Sequence, residues 1–487
     1  MRPTVMLARL LFGIALAAGI GVGAVRGSPA GTAHSASAPP ELIPARVDER
    51  VELLSIIFRL ADAFEYHQTP GTVPYAREAD KHFAPFKNHE AVRLANKLRQ
   101  DHGLGFDAVA RFGLYLKGNP HIEPVVPFDD PRTEMPRCFS AQTAAEFVAA
   151  LQRFADDSHA FEFMKTHHDL YGRAAQRLAA EVAKRPYREW LTDFFGAAPG
   201  AEFCAIVGML NGGANYGVWT HFPGRPEEIM PVIGAHNFDP EGVPVFGSND
   251  AKTVAHEFCH SYCNPFVDRH ADRLLPSADR IFPYRRTLMT RQAYGDPRYM
   301  MHEAMVRACT NRFLRAHGTR AEADEQLRDE VRRGFLWTPD LSALLGEFER
   351  SRNQYPTFDS FAPRVIQFFD GVAASMDDRM ARLPHVKGLS PASGTNDVNP
   401  SVSELRIEFD RPMRSGSFAI MGEAGEMPEM PEPGQFRPDL RTFVQPVALR
   451  PGKTYVFRLN DLYRPGFVSE EGMPLDELPV TFTTTTP

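Results

Sequence analysis

The stretch Val254-Ala-His-Glu-Phe-Cys-His-Ser-Tyr-Cys-Asn-Pro-Phe266 places His256 and His260 four positions apart, with Glu257 between them and cysteines at 259 and 263. Ser248, Asn249 or Asp250 can cap a helix ahead of it, and Asn264-Pro265 predicts that this helix stops near Cys263. On such a helix the two imidazoles leave one face with Cβ atoms about 6 Å apart, and they can share one tetrahedral ion. Glu257 lies about 100° around the helix, so it points past the ion but reaches a water beside it. That arrangement suits metal-activated hydrolysis, with the carboxylate moving a proton from water to the leaving amine. Apolar Val254, Phe258 and Tyr262 predict that the rest of the helix is buried.

A catalytic zinc site needs a third protein ligand and an open position. Cys263 is two turns from His256 and too short to reach back, and Cys259 points about 60° away, so both read as small core residues. Downstream, Asp296-Pro297 begins a helix that the sequence carries to His317, with Gly318 as its stop. On its wheel Glu303 falls among Tyr299, Val306, Thr310 and Phe313. An acid on an apolar face must be paired, protonated or metal-bound. Arg307, at i+4, could pair with it. Metal ligation with Arg307 in support is the reading preferred here, and His302, nearer the polar boundary, is the weaker alternative.

Around these helices the period changes. Residues 47–116 and 144–196 read as helices, and Gly103 fits the end of one of them. "EFCAIVGML", "EIMPVIGAHNF" and, after the Asp239–Gly242 turn, "VPVF" read as antiparallel strands leading into the central helix. Helical patterns resume near Arg298. After Pro384, short alternating runs between Pro, Gly, Asn and Asp predict an all-β sandwich. The expected fold is therefore α+β: a mainly helical domain over 47–384 with a small antiparallel sheet, then a β-sandwich over 385–487.

The 487 residues exceed one ordinary core. With 43% apolar and 24% charged residues the composition is that of a globular protein, and a net charge of -7 offers no argument for nucleic acid. Arg2 and Arg9 followed by an apolar run from Leu10 to Val25 have the layout of a signal peptide, taken as 1–27, with an uncleaved anchor as the alternative. Residues 28–46 read as a disordered linker. No other run is apolar enough to span a bilayer. Five cysteines (138, 204, 259, 263 and 309) imply no disulfide framework.

"HEFCH" at 256–260 with an acid on a later helix resembles the gluzincin branch of the zincin metallopeptidases. The surrounding "LNGGANYG", "HEAMVRA" and "YPTFDSF" look like a bacterial domain-of-unknown-function family. The resemblance implies Zn2+ held by His256, His260 and Glu303, with Glu257 as general base. It also implies an edge strand that binds substrate backbone, for which "EIMPVIGA" or "LNGGANYGVW" qualify, and a donor to the oxyanion. Tyr294 is the favoured donor among Tyr294, Tyr299, His302 and Tyr216. The last 100 or so residues resemble bacterial Ig-like domains of the S-layer type, which implies a spacer or surface-contact role. The function expected is an exported zinc metallopeptidase acting on a peptide or protein. A zinc amidase acting on wall material and an inactive zincin-like surface-binding protein are the alternatives.

Overall fold

The computed structural model describes residues 42–130, 140–196, 200–464 and 466–486. The expected signal segment and Cys138 lie outside the described residues. Residues 41–487 pack as one unit, with separate cores in its helical and β parts.

Two helices form the centre of the helical part: Ser248–Arg269, which carries H-E-x-x-H, and Pro297–His317, which carries Glu303. They pack directly against each other. Phe258, Cys259, Cys263, Phe266 and Val267 from the first, and Ala304, Met305, Ala308 and Cys309 from the second, are buried. Asp296 caps the second helix, accepting from the backbone N–H groups of Arg298 (2.8 Å) and Tyr299 (3.1 Å). The helix ends at Gly318, as its sequence predicts.

The first helix does not stop at Cys263. It continues through Pro265 to Arg269. A proline inside a helix costs ~3 kcal/mol. Full burial of Phe266 and Val267 one residue further on is worth about 1.5–3 kcal/mol for each side chain and offsets it. The Gly247 N–H donates to Asp250 Oδ2 (2.6 Å) at the other end. A further helix, Ala271–Arg291, was hidden in the sequence by Pro276 and Pro283, and it packs on Pro297–His317. The helices Arg320–Arg332 and Thr338–Arg350 cover another side of Pro297–His317.

The sheet is mixed, which corrects the antiparallel expectation. Ala45–Arg46, Ala205–Gly208 and Val232–Gly234 pair in parallel, and so do Glu202–Phe203 and Glu228–Ile229. Only the return stroke is antiparallel. Tyr216 bridges Val232, and Trp219–Thr220 pairs with Glu228–Ile229 in the same register. The run 216–220 is thus an outer strand, with Pro231, which has no N–H to give, opposite Gly217. "VPVF" is not a strand; Phe238 and Pro244 make one isolated bridge there. The end of the expected linker is also ordered. Ile43 is buried, the Pro44 carbonyl accepts from the Ala205 N–H (2.9 Å), and Ala45–Arg46 is a strand.

The C-terminal part is two antiparallel sheets. One orders its strands Gln435–Phe436, Thr442–Pro446, Glu404–Phe409, Val386–Ser390; the other orders them Leu478–Thr483, Thr454–Leu459, Ile420–Met421. Alternate residues Leu405, Ile407 and Phe409, with Tyr455, Phe457 and Leu459, fill the core between them. Arg285, buried on the Ala271–Arg291 helix, grips Asp476 through both Nη atoms (2.8 and 2.9 Å), and Arg411 donates to the Arg382 carbonyl (2.8 Å). These contacts join the β part to the helical part. Among the described residues, no helix is long and apolar enough to cross a membrane.

Candidate metal centre

Helical spacing brings His256 and His260 to one face of their helix, with ring centroids 5.0 Å apart. The neighbouring helix sets Glu303 against them. Glu303 Oε2 lies 3.6 Å from His256 Nε2, and Oε1 lies 3.5 Å from His260 Nε2. One ligand atom from each of the three residues falls within 4.8 Å of the other two. Two donors bonded to one tetrahedral zinc stand about 3.3 Å apart, and the two His–Glu303 distances are close to that.

Two further observations fit a cation here. His260 Nδ1 pairs with Asn264 Oδ1 at 3.1 Å, which makes Nδ1 the protonated nitrogen and leaves the Nε2 lone pair facing Glu303. Glu303 is buried, and its Oε2 has no aligned hydrogen bond although Arg307 Nη2 stands 2.9 Å away. A buried carboxylate oxygen in that state has an ion-pair partner but no directed hydrogen bond. Three protein ligands would leave a fourth position open, as in catalytic zinc sites.

The electrostatics follow from burial among like and unlike charges. Burial works against ionisation of Glu303, yet the Arg307 guanidinium beside it holds its carboxyl down at about 2. Burial pushes His256 well below the usual imidazole range, which keeps it a neutral ligand. Burial, reinforced by the Glu303 charge, raises Glu257 well above the usual carboxylate range. Its Oε2 is 3.9 Å from His260 Nε2, and the nearby Gly217 N–H favours its ionised form. Raised basicity beside a metal site is what a general base needs.

Of the tyrosines and histidine considered as oxyanion donors, three are already engaged or buried. The Tyr294 hydroxyl accepts from Arg307 Nη2 (2.8 Å), the guanidinium that ion-pairs with Glu303. His302 Nε2 bonds Asp268 (2.9 Å). Tyr216 is buried in the layer beneath the outer strand. Tyr299 alone is exposed, one turn before Glu303 on the same helix.

Cys259 and Cys263 face away from the ligands. Both are fully buried, and Cys263 Sγ lies 3.7 Å from Cys309 Sγ in the core between the two helices. Three contributors were missed in the sequence: Gly217, Asn264 and Glu330, whose carboxylate ion-pairs with Arg307. Asn264 was read only as a helix stop, and its i+4 spacing from His260 was the available signal. For the other two, the contacts are long-range and no local pattern marks them.

Residues 43–368 match the family defined as a domain of unknown function, DUF4932. The chain belongs to that family. The match takes in His256, Glu257, His260 and Glu303 and ends before the β part. No curated protein matches the chain. Among solved structures there are weak likenesses to the S-layer protein SbsC. Domains 1–6 give 16% identity and a TM-score of 0.17, covering 48% of this chain and 34% of that one. The N-terminal part of the same bacterial protein gives 16% identity and a TM-score of 0.16, covering 52% and 61%. Scores this low do not imply a shared fold.

Proposed function

We propose that the chain is an exported zinc-dependent hydrolase of the zincin type, acting on peptide bonds. The observation that carries this reading is the juxtaposition of His256, His260 and Glu303 around one centre, with the Glu257 carboxylate beside it and not among the ligands. A purely structural zinc site has no use for such a carboxylate.

Zinc bound there would supply Lewis-acid polarisation of the scissile carbonyl and acidify water. The remaining work belongs to the chain. Glu257, raised by burial and steadied by the Gly217 N–H, takes a proton from the attacking water and delivers it to the leaving amine. Arg307, bonded to the Tyr294 hydroxyl, stands beside Glu303 as its ion-pair partner, and Asn264 holds the His260 tautomer. The run 216–220 bonds its inner neighbour through Tyr216 and Val218 and lies at the edge of that sheet, the kind of element beside which an extended substrate backbone docks. Tyr299, with its exposed hydroxyl on the Glu303 side, is the donor best placed to meet a developing oxyanion. Export is supported by the Arg-flanked apolar run near the N-terminus. The two-sheet C-terminal part serves as an Ig-like spacer.

The test is to load the purified chain with zinc, determine the metal-to-protein ratio, and assay a peptide library with and without chelator. One zinc per chain and chelator-sensitive cleavage are expected. Bound zinc without cleavage of any peptide would favour a binding protein instead, and cleavage of wall material alone would favour an amidase.

A further inference from the structure

Arg307 is buried between two carboxylates. Glu303 precedes it by one turn, and Glu330 reaches it from the Arg320–Arg332 helix. Its aligned hydrogen bonds go elsewhere than to Glu303. Nη1 donates to Glu330 Oε2, and Nη2 donates to the Tyr294 hydroxyl (2.8 Å). The guanidinium plane is held 4.5 Å over Phe335. Glu330 is itself fixed, because Gln326 Nε2 donates to its Oε1 (3.0 Å) and to the Arg307 carbonyl (3.1 Å). Asn311 Nδ2 donates to Gln326 Oε1 (2.8 Å), and Ser342 Oγ donates to Asn311 Oδ1 (2.7 Å). This network runs across three helices, and its helical members are at most 7% exposed.

Its consequence falls on Glu303. A buried arginine with Glu303 as its sole anion would compete with any cation for that carboxylate. Here a second carboxylate takes the arginine's charge and its directed N–H. Glu303 Oε2 is left 2.9 Å from a guanidinium that is not aimed at it, with no aligned hydrogen bond of its own. Glu303, Arg307 and Glu330 together carry one negative charge, which favours a divalent ion more than a neutral pair would.

We propose that Glu330 is a positioning residue for the metal centre: by binding and neutralising Arg307, it keeps the Glu303 carboxylate available to a divalent cation. The inference rests on the zinc reading of His256, His260 and Glu303, and not on which bond is hydrolysed.

The experiment measures zinc affinity of the full chain by competition with a chromogenic chelator, with the melting temperature of each metal-free variant recorded alongside. Glu330→Gln should bind zinc about 10- to 100-fold more weakly, the range usual for loss of a supporting group around metal ligands. Glu330→Asp, which keeps the charge, should stay within a few-fold of wild type. Arg307→Met combined with Glu330→Gln, which removes both charges, should regain most of the affinity. Wild-type affinity in folded Glu330→Gln overturns the proposal. So does equal loss in Glu330→Asp, or a double variant no better than Glu330→Gln. If Glu330→Gln does not fold, the aspartate and double variants decide. A wild-type chain that takes up no zinc overturns the metal centre itself, and this proposal with it.

Discussion

Gly217 lies so close to His260 that a Cβ on it would stand 2.3 Å from the His260 Cβ and 2.6 Å from the Glu257 carbonyl oxygen. Both contacts are with the helix that carries His256 and His260, so the neighbours cannot swing aside. The outer strand and the H-E-x-x-H helix therefore meet at one glycine. Gly217→Ala should destabilise the fold by ~1–3 kcal/mol through overpacking. It should also lower kcat in the surviving folded protein, because the strand retreats from Glu257. Thermal melting and peptide cleavage check this; unchanged values in both would mean that the close approach does not matter.

The third ligand is testable against its competitor. Glu303→Ala should abolish stoichiometric zinc binding, whereas Cys263→Ala should retain it and lose only a modest amount of stability from the vacated core volume. Zinc analysis of the two purified variants separates them. Retention by Glu303→Ala with loss by Cys263→Ala would transfer the ligand role to the thiol.

The two tyrosines near Glu303 should respond differently to loss of a hydroxyl. Tyr294→Phe should weaken zinc binding, since its hydroxyl accepts from Arg307, which stands beside Glu303. Tyr299→Phe should leave zinc in place and reduce kcat by ~10²-fold, the scale of one oxyanion donor. Zinc titration beside steady-state kinetics tells them apart.

Glu52 supplies a pH test independent of the metal. Burial raises its carboxyl from 4.5 to about 7, against the Tyr75 hydroxyl (2.7 Å) that favours the charged form, and its Oε2 has no partner. Between these two values the folded protein keeps a proton that the unfolded chain has released, so stability falls as pH rises across the window. The shift corresponds to about 3 kcal/mol once the pH is above it. Glu52→Gln should therefore gain stability over wild type at pH 8 and gain little at pH 4. Denaturant melts at the two pH values check the sign, and a larger gain at pH 4 would contradict it.

The centre of the site was legible because helical periodicity is local. His256, His260 and the misplaced acid Glu303 each stand out within a few turns of their own helix, and Asp296 and Gly318 mark the ends of the second one. What escaped was set by contacts distant in sequence. Pro265, Pro276 and Pro283 argue against helix locally, and tertiary burial overrides them. The parallel pairing of Ala205–Gly208 with Val232–Gly234 has no signature in strands this short. Glu330 sits in "RAEADEQLRDEVRR", where an acid looks like one more solvated charge, and only the approach of Arg307 from another helix gives it a role.

The most direct test of the account is the peptidase activity of Glu257→Gln against wild type, each normalised to bound zinc. Glu257 is not among the ligands, so the variant should hold one zinc per chain as wild type does. Its kcat should fall by ~10²–10⁴-fold, the contribution of a positioned general base. Cleavage at the wild-type rate by zinc-loaded Glu257→Gln would contradict the account.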